Sequence, residues 1–224
     1  NQKLYSKFGT IFDIDLSVFK TEFSNRIFPD YETNPNQIIY NNLNGKSITQ
    51  GISLNINSLS TNGLKINLGA TFIDSKIIEN NITEYPFLTE KFSGNYRISY
   101  SLYNPKITFD LSGTVIGPMK LPLLGPLDSR DPKSPVINVM NIQGTYSFEE
   151  VELYAGIKNI FNFKPPSNSI ARAFDPFDTG VEFGNNGQVI ASPNNPNALS
   201  FDPSYVYYSN QGIHGFLGLR YHIK

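Results

Sequence analysis

The sequence predicts an all-β fold: an antiparallel transmembrane β-barrel, of which the 224 residues supply about eight strands. Three observations predict it. Apolar and polar residues alternate in eight separate segments, the pattern of a strand with one face in an apolar medium and the other in a polar one. The connections run long, short, long, short, long, short, very long, which places three tight turns at one end and the longer loops at the other. Charged residues are only 17% of the chain, against about 25% in soluble proteins, and Asn, Ser, Thr, Gly and Tyr fill the difference. A closed barrel is the β-structure that satisfies every backbone polar group in lipid. Alternation and composition also suit a soluble β-sandwich binding module, and the strand count suits a self-contained eight-stranded barrel with a structural or adhesive role.

Residues 8–28 open the pattern, with Phe12, Ile14, Leu16 and Val18 on one face and Asp13, Asp15, Ser17 and Phe19 on the other. After the turn-rich PDYETNPNQ, residues 38–59 return, and Ile52, Leu54 and Ile56 oppose Gly51, Ser53, Asn55 and Asn57. STNG at 60–63 is a tight-turn signal. Residues 64–74 then set Leu64, Ile66, Leu68, Ala70 and Phe72 against Lys65, Asn67, Gly69 and Thr71. Beyond a loop through Asn80, Pro86 and Lys91, Tyr96, Ile98, Tyr100 and Leu102 oppose Arg97, Ser99 and Ser101. Tyr103-Asn104-Pro105-Lys106 turns into Ile107, Phe109, Leu111, Gly113 and Val115, which alternate with Thr108, Asp110, Ser112 and Thr114.

A Pro-rich loop, GPMKLPLLGPLDSRDPKSP, precedes Met140, Ile142, Gly144, Tyr146 and Phe148. Glu149-Glu150 turns the chain back into Val151, Leu153, Ala155 and Ile157, facing away from Glu152, Tyr154, Gly156 and Lys158. The long connection 163–212 leads to the last strand, IHGFLGLRYHIK at 213–224. Its half-apolar edge demands a partner strand. Barrels of this kind carry short periplasmic turns and long extracellular loops, so the chain is expected to begin and end on the periplasmic side.

Composition excludes several functions. A net charge of −1 offers no electrostatic case for nucleic acid or for an anionic membrane surface. The absence of Cys excludes a disulfide scaffold, thiol catalysis and cysteine-ligated zinc. No run approaches the roughly 18 apolar residues of a membrane helix, and no signal peptide is visible. A chain starting at Asn1 without an initiator Met reads as a mature product or a fragment. With Trp absent, any interfacial girdle falls to the 13 Tyr and 17 Phe, of which Tyr103, Phe148 and Tyr221 lie near strand ends.

Candidate sites follow from the same faces. Asp13, Asp15, Lys65, Arg97, Asp110 and Arg220 alternate with the apolar positions and read as lumen wall. The long loop, about 164–211, is the ligand- or partner-binding candidate, because structureless loops beyond about 15 residues are usually functional or disordered. Its candidates are Arg172, Asp175, Asp178, Tyr205, Tyr207 and Tyr208: aromatic rings to stack on a ligand or on a capping surface lipoprotein, and carboxylates. Asp175, Asp178, Glu182 and Asp202 are oxygen ligands that could take calcium, against a solvated loop whose Phe174, Phe177 and Phe183 pack on their own neighbours. His214 and His222 share a strand face but stand roughly 26 Å apart, so they cannot hold one metal ion between them. No nucleophile–base or paired-carboxylate spacing is present, so neither an enzyme nor a cofactor is expected.

Taken in order, several stretches carry a family resemblance. They are DIDLSVFKTEFSNRIFP with IIYNNLNGKSITQGISL (Tyr40-Asn41-Asn42 and Gly51), GPMKLP at 117–122, and LYAGIKNIFNF with Asn159-Ile160-Phe161-Asn162. SIARAFDPFDTG, FDPSYVYY and the closing GFLGLRY complete the set. Over nearly its whole length the chain resembles the C-terminal part of the barrel of a TonB-dependent outer-membrane receptor, Bacteroidetes-type. The resemblance implies a barrel of about 22 strands around a plug domain. It also implies uptake of a scarce nutrient, such as a ferric siderophore, haem, cobalamin or glycan, energised through TonB. Residues 1–224 would then be one C-terminal barrel segment. The plug domain, the TonB box and the remaining strands would lie outside it, with outer-membrane lipid around it. Many barrel proteins end in an aromatic residue; this chain ends in Lys224, leaving Phe216 and Tyr221 as its terminal aromatic features.

Overall fold

The computed structural model describes residues 2–5, 9–30, 39–122, 131–166, 182–185, 190–193 and 207–223. Its strands are β1 (Gln2–Tyr5), β2 (Thr10–Phe23), β3 (Ile27–Asp30), β4 (Ile39–Asn42), β5 (Gly45–Ser60) and β6 (Leu64–Glu79). They continue as β7 (Ile82–Glu84), β8 (Phe92–Tyr103), β9 (Lys106–Ile116), β10 (Ile137–Phe148), β11 (Val151–Lys158) and β12 (His214–Tyr221). One antiparallel sheet runs β1-β2-β5-β6-β8-β9-β10-β11-β12, with β7 added to β6, and β3 and β4 form a separate hairpin. Each of the eight alternating segments is a strand of the large sheet, and the tight turns join β5 to β6, β8 to β9 and β10 to β11. The sheet is open. Among the described residues β12 pairs only with β11, and β2 lies between β1 and β5, so residues 213–224 do not close onto residues 8–28.

Opposed residues in an antiparallel ladder share a face, so the register carries each row around the sheet. One apolar row runs Leu64, Tyr100, Phe109, Gly144, Ala155, Leu217. Its members face outward: Phe109 is 52% exposed and Leu217 81%. A polar row on the other face runs Asp13, Asn57, Asn67, Arg97, Ser112, Asn141. A sandwich would bury its apolar face against a second sheet. Here the buried hydrophobics among the described residues are Leu43, Ile77, Met119, Leu121 and Ile137, all at the loop end of the strands. A continuous apolar face left open along most of the sheet is stable only against an apolar solvent.

The apolar band has a clear upper edge. Val18, Ile52, Phe72 and Phe92 form its last row, and two residues further on the same face reads Lys20, Gln50, Asp74, then Glu22, Ile48, Lys76. These outward polar groups pair with one another: Lys76 with Asp74 at 2.8 Å, Gln50 with Asp74 at 3.3 Å, and Lys46 with Glu22 at 3.1 Å. Leu64 to Phe72, the paired stretch of β6 with β8, is nine residues. That is about 27 Å along a strand and about 20 Å across a bilayer at the usual tilt, close to the ~25 Å apolar band of an outer-membrane barrel.

Above that edge the structure adds what alternation does not announce. β6 runs on to Glu79 rather than ending near residue 74, because ladder hydrogen bonds continue where lipid stops. Asn80 and Asn81, at φ 50° and 63°, make a two-residue hairpin turn into β7 inside what the sequence presents as a loop. Ile27–Asp30 and Ile39–Asn42 pair as a further hairpin, with Pro29 on an edge strand where its missing N–H costs nothing.

Candidate functional site at the polar face and loop end

All six wall candidates lie on the polar face. Asp110 stands at its centre and accepts bonds from Arg97 Nε at 3.3 Å, Arg97 Nη2 at 3.0 Å and Ser99 Oγ. Lys65 is opposed to Ser99 across the β6–β8 ladder. Asp15 accepts from Ser17 Oγ at 3.3 Å. Asp13 sits opposite Lys3 and Asn57, and its Oδ1 is buried with no hydrogen-bond partner. Near the short-turn end Glu152 holds Arg220 Nη1 at 2.6 Å and faces His222 Nε2 at 3.4 Å. His214 instead has its Nδ1 3.1 Å from the Gly212 carbonyl, so the two histidines engage separate neighbours.

One glycine on β11 and one on β12 make room for a ring of the neighbouring strand. Gly218 is opposed to Tyr154 and Gly156 to Phe216. A Cβ on Gly218 would lie 2.3 Å from the Tyr154 ring, and one on Gly156 2.6 Å from the Phe216 ring. Each ring therefore lies over a glycine of the neighbouring strand. The two rings stand 6.3 Å apart, with Lys158 Nζ 5.5 Å from Phe216 and the Arg220 guanidinium 5.8 Å from Tyr154.

The Asn159-Ile160-Phe161-Asn162 stretch ties together the two roots of the long loop. Asn159 is 5% exposed and holds φ 52°, in the left-handed region that Asn tolerates better than most residues. Its Nδ2 donates to the carbonyls of Phe163 at 2.8 Å and Gln211 at 3.1 Å, and its Oδ1 accepts from the Phe163 amide at 2.8 Å. Asn162, at φ 51°, accepts from the Ile213 amide at 2.9 Å. Asn159 serves a turn and a second strand together because its short side chain carries both donor and acceptor, whereas Asn162 contributes an acceptor oxygen.

Of the loop candidates, Arg172, Asp175, Asp178 and Tyr205 lie outside the described residues, as do Asp202, Phe174 and Phe177. Tyr207 packs on Leu121 together with Leu88; burial, then the nearby Asp131 carboxylate, push its phenol above the ordinary value. Tyr208 meets Phe163 edge-on at 5.8 Å. Both described tyrosines thus contact their own chain.

GPMKLP is threaded between two other segments at the loop end. Gly117 N bonds Phe92 O at 2.8 Å, Leu88 N bonds Lys120 O at 2.8 Å, and Leu121 N bonds Pro132 O at 3.0 Å. Beside it opens a cavity of about 430 Å³ that reaches Ile73 and Ser75 on β6 and is lined by Lys91, Lys120 and Lys133. Sequence reasoning passed over these three lysines, because each stands alone in a different stretch and only the fold brings them together.

The sequence profile of the family described as "TonB dependent receptor-like, beta-barrel" matches residues 4–160, well over half of the chain. No curated protein matches significantly. Among solved structures, the chain is similar to a ferric enterobactin receptor, PfeA, of Pseudomonas aeruginosa bound to enterobactin. The two share 14% identity at TM-score 0.54, over 96% of this chain and 29% of that one. It is also similar to FpvA of P. aeruginosa bound to a heterologous pyoverdine, at 16% identity and TM-score 0.53, over 72% of this chain and 22% of that one. The siderophore receptor PiuA of Acinetobacter baumannii matches at 16% identity and TM-score 0.50, over 70% of this chain and 24% of that one. The chain therefore spans about a quarter of the length of the structures it matches, and the Bacteroidetes-type part of the resemblance stays an expectation. With its open antiparallel sheet, outward apolar band and profile match, this chain belongs to the TonB-dependent receptor β-barrel family, whose members are β-barrel proteins of the Gram-negative outer membrane.

Proposed function

We propose that this chain supplies barrel wall and extracellular loops to an outer-membrane active transporter that takes up a scarce nutrient, energised through the TonB complex. The observation that carries the reading is a chain of this family with a nine-residue apolar band on one face and hydrogen-bonded, ion-paired rows on the other. On it, Asp13, Asp15, Lys65, Arg97, Asp110 and Arg220 form lumen wall and meet a plug domain. Among the described residues β12 has a partner on one edge alone, which supports pairing with a remaining strand of a larger barrel over a self-contained one. Arg172, Asp175, Asp178, Tyr205, Tyr207 and Tyr208 belong to the loop that meets the ligand or a surface lipoprotein. The family is one of receptors, and no catalytic role is assigned to any residue.

Ferric siderophores, which the matched receptors are named for, are the first substrate class to test, ahead of haem, cobalamin and glycans. The experiment is uptake of an iron-labelled siderophore panel by cells expressing the full receptor, by cells lacking it and by cells lacking TonB. Uptake that depends on both proteins is expected for at least one member. Accumulation of every candidate nutrient at the same rate in all three strains would sink the reading.

A further inference from the structure

On its lipid-facing side, the rim above the apolar band carries more cations than carboxylates. The outward positions of β2, β5 and β6 beyond Val18, Ile52 and Phe72 hold Lys20, Lys46 and Lys76 against Glu22 and Asp74. Both carboxylates are taken, Glu22 by Lys46 at 3.1 Å and Asp74 by Lys76 at 2.8 Å. Lys20 is left over. Among the described residues no carboxylate lies within ion-pair distance of it, and its side chain is exposed. Its ladder partner Gln50 is neutral and donates one of its two amide N–H groups to Asp74 at 3.3 Å. A chain whose net charge is −1 thus concentrates an uncompensated positive charge on the face turned towards lipid.

Depth and shape fit a lipid headgroup. Lys20 stands two residues beyond Val18, the last apolar position on β2. Two residues advance about 7 Å along a strand, or about 5 Å along the bilayer normal at the usual tilt. Headgroups fill roughly 5–8 Å on either side of the hydrocarbon core, so the Lys20 ammonium lies at their level. A groove of about 610 Å³ crosses this boundary, running from Val18, Ile52 and Phe72 up to Lys20, Gln50 and Asp74. Its lower half is bare hydrocarbon, with Val18 74% and Phe72 62% exposed. Its upper half offers a free cation and, on Gln50, a second N–H. A ligand that matches both halves has an acyl chain and a head rich in anionic oxygens, and a phosphate accepts from both donors at once.

We infer that this groove on the outer wall of the barrel binds one membrane lipid by its headgroup phosphate. Lys20 and Gln50 hold the phosphate, and an acyl chain lies along Val18, Ile52 and Phe72. Asp74 is a positioning residue: it orients Gln50 and keeps Lys76 beside the head. The site faces away from the lumen, so it is independent of the nutrient carried and rests only on the lipid-facing assignment of this side of the sheet.

The test places the full receptor in a non-ionic detergent with a phosphorylated lipid that carries a photoreactive diazirine in its acyl chain. After illumination, mass spectrometry measures the yield of lipid cross-linked to the peptides that contain Val18, Ile52 and Phe72. The same lipid with its phosphate removed by phosphatase is the second probe, and inorganic phosphate is the competitor. Removing the phosphate, or substituting K20Q, should each lower the yield at least fivefold. K20R should stay within twofold of the parent, because it keeps the charge. Lys106→Gln, at the short-turn end of β9, should also change the yield less than twofold. Inorganic phosphate should not compete, since it lacks the chain that fills the lower half of the groove. Equal yields for K20Q and the parent, equal yields with and without the lipid phosphate, or displacement of the lipid by inorganic phosphate would each overturn the inference. Heat-modifiable gel mobility checks that each variant is folded, and the phosphatase comparison on the parent decides the matter if K20Q is not.

Discussion

Replacing Asn159 by alanine tests the loop clamp, because the structure lets the cost be worked out bond by bond. The substitution removes three side-chain hydrogen bonds, two to Phe163 and one to Gln211. At about 1 kcal/mol net each, these account for about 3 kcal/mol. Alanine must also hold φ 52°, which costs a further 1–2 kcal/mol. The total is about 4–5 kcal/mol, all of it local to the turn and the start of β12. In the full receptor, amide exchange at Phe163 and Ile213 reads that opening directly. A loss of this size predicts exchange faster by about a thousandfold, since each 1.4 kcal/mol is tenfold, with cleavage of the 164–211 loop by added protease rising in parallel. Asn159→Gly loses the same bonds without the backbone penalty, so it should recover about 1 kcal/mol relative to alanine. Exchange in Asn159→Ala within threefold of the parent, or a glycine variant less stable than the alanine one, would refute the reasoning.

Four further outcomes follow from other parts of the sheet. Gly218→Ala drives a methyl into the Tyr154 ring and should cost about 1–3 kcal/mol, read as a lower midpoint of heat-modifiable mobility. Adding Tyr154→Ala should relieve part of that cost, so the double variant loses less than the two single losses combined. Leu68→Arg, in the middle of the outward band, should cost about 2–4 kcal/mol of barrel stability. Gln50→Arg, just beyond the band edge, should cost under about 1 kcal/mol when both variants are compared by urea titration, and equal costs at the two positions would remove the bilayer from the explanation.

What the sequence made legible was whatever the bilayer imposes. Within the band, lipid on one side and water on the other force strict alternation, so Ile52-Leu54-Ile56 and Leu64 to Phe72 declared their strands and their faces. The six polar-face charges followed by parity alone, and the structure places all six on that face. Alternation faded where the strands leave lipid: Asp74 and Lys76 point outward while Ile77 turns inward and is buried, so β6 ran five residues past its legible end at residue 74. β7 hid for a different reason. Its turn depends on two successive asparagines at positive φ, and Asn-Asn signals this less strongly than Asn-Gly. β1 is only four residues, too short to show a period. Asn159 and Asn162 were visible as a family signature, but their role depends on contacts with Gln211 and Ile213, about fifty residues away. The lysine cavity is a product of tertiary threading and has no local pattern at all.

The central claim is that one face of this sheet meets lipid and the other meets water. The chain contains no cysteine, so once any cysteine elsewhere in the full receptor is replaced, single cysteines introduced along β5 and β6 are the only labelling sites. Nitroxides placed one at a time from residue 50 to residue 57 and from 64 to 74 of the full receptor in liposomes report access to oxygen and to a polar nickel chelate. Oxygen access should peak at Ile52, Leu54, Ile56, Leu64, Ile66, Leu68, Ala70 and Phe72. Nickel access should peak at Ser53, Asn55, Asn57, Lys65, Asn67 and Thr71, with the alternation ending at Asp74. A flat profile, or oxygen maxima on the Asn55–Asn67 parity, would contradict the account.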